Sequence, residues 1–218
     1  MSTFSMAAIG ASVVAFALTA SAGTNSFQVP TFRGQPGSTF SGWESFQVAV
    51  GGAGNTPDLA GSSGNARLFQ FSPSAQVLGS GNLYNGGEAS SFEIRYSGTE
   101  PITKVVLQIR ALGTELKYDD VKLVAWTQSL SSPRTELDRL AFGPPPPNPG
   151  SGFAVSSLWE WDITGLAATS FAIAIPATEL NLSLDSATLD VQVVPEPGVW
   201  TMFAMGSLAL VLARRSRR

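Results

Sequence analysis

Residues 91–96 read Ser91-Phe92-Glu93-Ile94-Arg95-Tyr96, with Phe92, Ile94 and Tyr96 alternating against Glu93 and Arg95. Side chains of an extended chain point to opposite faces with a period of two, so this spacing predicts a strand with one buried and one wet face. Residues 187–193 (ATLDVQV) repeat the pattern, with Leu189, Val191 and Val193 against Asp190 and Gln192. Around them lie further short runs rich in β-branched and aromatic residues: 45–50 (SFQVAV), 66–71 (ARLFQF), 104–110 (KVVLQIR), 120–126 (DVKLVAW), 157–162 (SLWEWD) and 170–175 (SFAIAI). Turn-forming clusters such as Asn85-Gly86-Gly87, Ser97-Gly98 and Gly113-Thr114 separate them. Helical periodicity is scarce, and only residues 134–142, just before Gly143, are expected to form a short turn of helix. Short strands punctuated in this way predict an all-β domain, an antiparallel β-sandwich of jelly-roll type.

Composition agrees with an ordered, turn-rich domain. Of 218 residues, 44% are hydrophobic and 13% charged, with 22 Gly and 14 Pro; disorder would need the opposite balance. The chain has neither His nor Cys, which excludes a Ser-His-Asp relay, a thiol nucleophile and a zinc thiolate site. Residues 23–194 carry nine basic and fifteen acidic side chains, a net charge of −6. Without a basic run or interleaved Arg and aromatics, nucleic acid is not an expected partner. Pro144-Pro145-Pro146-Pro147-Asn148-Pro149-Gly150 cannot enter a sheet interior and is expected to form a surface polyproline loop within one domain.

The two ends read as targeting segments. Met6 to Leu18 is apolar and is followed by Ala20-Ser21-Ala22, small residues at the −3 and −1 positions of a signal-peptidase site. Residues 1–22 are therefore expected to be a cleaved signal peptide, although no Lys or Arg precedes the apolar run. At the other end, Pro195-Glu196-Pro197 precedes 16 apolar residues from Gly198 to Ala213, then Arg214, Arg215, Ser216, Arg217 and Arg218. As a helix the apolar stretch covers about 24 Å, short for a bilayer core but within reach of local thinning and snorkelling. Its terminal arginines predict a transmembrane helix with the Arg cluster on the cytoplasmic side and the preceding chain exported.

This tail resembles the PEP-CTERM sorting signal of Gram-negative and related bacteria. The resemblance covers residues 195–218 alone. It implies recognition by an exosortase, a membrane-embedded cysteine transpeptidase-like enzyme, with processing near Pro195-Glu196-Pro197 and only transient residence in the inner membrane. Members of that family are typically exported in species that make extracellular polysaccharide. The expected role is that of a non-enzymatic surface or matrix protein associated with exopolysaccharide. A secreted carbohydrate-binding module and a polysaccharide-active enzyme are the alternatives.

Candidate chemistry inside the domain is sparse. Trp43, Trp126, Trp159 and Trp161 are candidates for stacking on sugar rings; Trp159 and Trp161, two apart on one strand, must share a face and are the expected glycan contacts. Glu160 and Asp162 share the opposite face and form the most suggestive carboxylate pair of glycosidase type. Asp58, Asp119, Asp120 and Asp185 lie in or beside loops and are candidate oxygen donors to calcium, while no other cofactor is expected. Finally, Tyr118-Asp119-Asp120-Val121-Lys122-Leu123 resembles a late strand of galactose-binding-like carbohydrate-binding modules. Residues 116–123, which contain that segment, echo residues 182–189, which points to related strands in two sheets.

Overall fold

A computed structural model describes residues 26–143 and 152–194. The signal segment 1–22, the proline-rich segment 144–150 and the tail 195–218, with Pro195, Glu196, Pro197 and the four terminal arginines, lie outside the described residues.

The alternating segment at 91–96 is strand β5 (Ser91–Ser97), and its Phe92, Ile94 and Tyr96 are all buried. Eleven further strands accompany it: β1 (Ser38–Trp43), β2 (Ala66–Gln70), β3 (Gln76–Val77), β4 (Leu83–Asn85), β6 (Ile102–Gly113), β7 (Lys122–Ala125), β8 (Gln128–Ser131), β9 (Thr135–Phe142), β10 (Gly152–Asp162), β11 (Ser170–Pro176) and β12 (Leu182–Val193). Every pairing among them is antiparallel. The larger sheet has seven strands in the order β3-β4-β12-β6-β10-β9, and β1 pairs with β12 beyond the end of β4. The smaller has five, in the order β2-β5-β11-β7-β8. Among the described residues no helix is long and apolar enough to cross a membrane.

One hydrophobic cluster draws on both sheets. From the larger come Leu107, Ile109, Trp159 and Leu189; from the smaller, Ile94, Leu123 and Ile173. Side chains of this size contribute about 1.5–3 kcal/mol each when fully buried. The long strands β6 and β12 form the spine, pairing Leu107 with Leu189 and Val105 with Val191. Their alternate residues, among them Val106, Gln108 and Asp190, project from the outer face, away from the cluster.

Part of that outer face is covered by the chain itself. Residues 26–33 cross it from β10 to β12. The hydroxyls of Ser26 and Ser156 lie 2.7 Å apart. The Gln28 N–H donates to Gln108 Oε1 at 2.7 Å, and Gln108 Nε2 donates back to the Gln28 carbonyl at 2.8 Å. Arg33 closes the crossing with two bonds to the carboxylate of Asp190, at 2.5 and 2.6 Å, while its guanidinium stands 4.1 Å from the Phe40 ring centre. Asp190 has no exposed surface. Burial pushes its carboxyl above the ordinary value, and Arg33 pulls it back.

Two expected elements are corrected. Residues 45–50 form a loop and not a strand; the first strand is β1. The cause is Asn55, a buried amide whose Oδ1 accepts the N–H groups of both Gln47 and Val48 at 2.8 Å, so these donors never enter a ladder. Residues 134–142 are not helical: 135–142 form the edge strand β9, because pairing with β10 outweighs a weak local preference. Strand β7 also stops at Ala125, one residue short of the expected Trp126. The echoing segments fall in different sheets, β7 in the smaller and β12 in the larger, and the Tyr118–Asp120 part is a turn of 3-10 helix ahead of β7.

Candidate functional site

The tryptophans divide sharply. Trp159 and Trp161 do share a face, and it is the inner one: they are 0% and 3% exposed. In this fold neither can stack on a glycan, which corrects their expected role. Trp161 Nε1 donates to the Leu130 carbonyl at 3.1 Å, and the Trp159 ring lies 6.3 Å from that of Tyr118. Trp43 is fully buried and donates to the Asn55 carbonyl at 3.0 Å. Among the described tryptophans Trp126 is the exception, 74% exposed. It occupies the two-residue turn between β7 and β8, where Ala125 pairs with Gln128. Its φ of 55° is a left-handed value that such hairpin turns require and normally satisfy with Gly or Asn.

Glu160 and Asp162 face solvent on the outer side of β10, as alternation requires. Each is engaged separately. Glu160 accepts from Lys104 Nζ at 2.9 Å, which raises the lysine pKa. Asp162 accepts from Thr164, whose hydroxyl and N–H hold its carboxyl below the ordinary value. The calcium candidates do not converge. Asp58 Oδ1 accepts the Glu44 N–H at 2.9 Å, and Asp120 lies 4.0 Å from Lys122 in the exposed turn it shares with Asp119. Asp185 accepts from Asn82 Nδ2 at 3.0 Å and lies 3.4 Å from Arg110. Among the described residues no three acidic side chains come together as a metal would need.

A charged cluster covers the turn at Tyr118–Asp120. The Arg134 guanidinium lies 3.5 Å from the Tyr118 ring centre, and its Nε donates to Ser157 Oγ at 2.9 Å. Arg139 bridges Glu115 and Glu136 at 2.5 and 3.0 Å, holding both carboxyls below their ordinary values. Burial pushes the Tyr118 phenol up to about 12.

A groove of about 750 Å³ that the sequence did not announce lies at the end of the larger sheet away from residues 26–33. Its floor is a cross-strand row in which Tyr84 of β4, Ser183 of β12 and Leu112 of β6 are register neighbours. Tyr84 donates from its hydroxyl to Asn181 Oδ1 at 2.8 Å. Asn82, Ser80 and Leu78 line one side, Thr114 and Phe142 the other. Gly152 makes room for the aromatic wall: a Cβ there would meet Phe142 Cζ at 2.8 Å, so the ring lies across the glycine. Gly113, at φ 93°, approaches Asn181 so closely that a Cβ would sit 2.2 Å from its carbonyl oxygen. Ser183 is 8% exposed, and its Oγ has no hydrogen-bond partner. The lining residues come from four separate stretches of chain, and apart from the turn signal at Gly113-Thr114 no local motif marks them.

No protein-family model, no curated protein and no solved structure matches this chain.

Proposed function

We propose that this is an exported, exosortase-processed surface or extracellular-matrix protein whose β domain is a two-sheet sandwich, performs no catalysis and associates with exopolysaccharide. The observation that carries this reading is the order of the last residues: Pro195-Glu196-Pro197, the apolar run Gly198 to Ala213, and the arginines to Arg218. Only Val194 separates the motif from the end of β12, so processing there would release the domain with its central strand whole. The Ala20-Ser21-Ala22 site places signal-peptidase cleavage ahead of the strap at residues 26–33. A non-catalytic role is supported by the separate engagement of Glu160 with Lys104 and of Asp162 with Thr164. Glycan association is supported by Trp126, a large exposed ring kept at a backbone position where glycine would be easier.

Two measurements test the two halves of the proposal. Replacing Pro195 and Pro197 with Ala should leave export intact and hold the protein in the inner membrane; unchanged release would make the tail's resemblance accidental. Trp126→Gly should leave the fold intact and reduce retention of the protein on isolated exopolysaccharide several-fold, and equal retention would remove Trp126 from the contact surface.

A further inference from the structure

The groove at the open end of the larger sheet differs from the other concavities in one respect. The cleft beside the strap presents Lys104 and Glu160, and that over the 3-10 turn presents Lys117, Asp119, Asp120 and Arg134. The groove is lined by aromatic rings, amides and hydroxyls, with no carboxylate, ammonium or guanidinium among the described residues. A charged ligand entering it would give up water and meet no countercharge. Asn82 already donates to Asp185, Asn181 accepts from Tyr84 and Thr114 donates to the Leu180 carbonyl. A purely apolar ligand would still cover the Asn82 amide oxygen, the Asn181 amide N–H groups and the Ser80 hydroxyl. Eight buried polar side-chain atoms among the described residues have no partner, and the Ser183 hydroxyl is the one of them that belongs to a residue lining the groove.

The ligand that satisfies both constraints is neutral, carries hydroxyls on its edges and has an apolar face for a ring to lie against. A pyranose has this form: its C–H face fits an aromatic wall such as Phe142, and its hydroxyls both donate and accept. The volume lies within the usual range for small-molecule sites, about 300–1,000 Å³. We infer that this groove, built on Tyr84, Ser183, Asn181 and Phe142, binds a short stretch of neutral saccharide and discriminates against uronate-type, anionic sugars. This deepens the glycan reading above and rests on it, but uses residues on the opposite sheet from Trp126.

The test is titration calorimetry on the full chain in a detergent without a sugar headgroup. The probes are neutral tetrasaccharides of glucose, galactose and mannose, with a galacturonate tetramer as the anionic counterpart. At least one neutral tetrasaccharide should bind, about tenfold or more tighter than the uronate, as expected when a charge must be buried unpaired. Asn181→Gly removes the amide while suiting the left-handed φ of 69° at that position, and should weaken binding about tenfold. Phe142→Ala, at the exposed end of β9, should do likewise, with unchanged circular dichroism showing that the sheet persists. Tighter binding of the uronate, no binding of any neutral probe, or full affinity in both variants would overturn the inference. If the groove stays empty while Trp126→Gly still reduces polysaccharide retention, this inference falls alone. If neutral sugars bind but retention is unchanged, the Trp126 reading falls and the groove stands.

Discussion

The outer face of the larger sheet carries two regions of opposite character on the same strands. Beneath residues 26–33, β6, β10 and β12 present Gln108, Ser156 and Asp190, and the strap partners each of them. At the far end, β4, β6 and β12 present Tyr84, Leu112 and Ser183 to an open groove, where the Ser183 hydroxyl has no partner. Alternation puts polar residues on the outer face in both places. The difference is the second layer of chain. With a strap above it, the sheet holds a carboxylate at 0% exposure because a guanidinium arrives to meet it; at the far end, where the described residues lay no such strap, it presents neutral groups.

The comparison is broken most severely at Arg33. Arg33→Ala leaves Asp190 buried and uncompensated, and should cost about 3–5 kcal/mol in chemical denaturation. Adding Asp190→Asn should recover part of that loss. The pH dependence has a defined sign. Because the folded Asp190 carboxyl titrates above its ordinary 3.8, the folded protein binds more protons than the unfolded chain just above that value, so this group makes stability fall as pH rises through the window. Removing Arg33 raises the folded value further, and the variant's deficit should be smallest in acid. A deficit below about 1 kcal/mol would show that the strap does not hold the covered half.

A smaller effect is expected beside the open end, where Glu115 follows the groove residue Thr114 and pairs with the partly exposed Arg139. Arg139 holds the Glu115 carboxyl below 4.5. Its contribution is therefore present above that pH and is lost as pH falls through the depressed value. Glu115→Gln should cost about 0.5–1 kcal/mol near neutrality, with the two denaturation curves converging toward pH 3. Equal deficits at both pH values would mean the pair acts by packing and not by charge.

The smallest effect separates binding surface from core on the smaller sheet. Trp126→Gly should be neutral or stabilising by up to about 1 kcal/mol, since glycine accepts the left-handed backbone without strain. A clear fall in thermal midpoint would show that the exposed indole packs against its neighbours and is not held for an external contact.

Alternation in residues 91–96 and 187–193 sufficed to identify two strands, although the Asp190 side of the second is buried as well, beneath residues 26–33, and the absence of His and Cys removed whole classes of chemistry before any geometry. Spacing also put Trp159 and Trp161 on one face and Glu160 and Asp162 on the other. It could not say which face was inside, because a period of two is symmetric until a second sheet covers one side. Residues 45–50 have strand composition, but the amide of Asn55 takes their donors; residues 134–142 have some helical character, but the free edge of β10 takes their backbone. The groove lay furthest beyond the sequence. Its floor joins Tyr84, Leu112 and Ser183 through strand register alone, and no local pattern can record a neighbour that only the folded sheet supplies. The sequence alone determined the β character, the chemistry excluded and the targeting reading of the two ends. Tertiary structure decided which tryptophan meets solvent and where a ligand could sit, because burial and register are relations between segments distant in the chain.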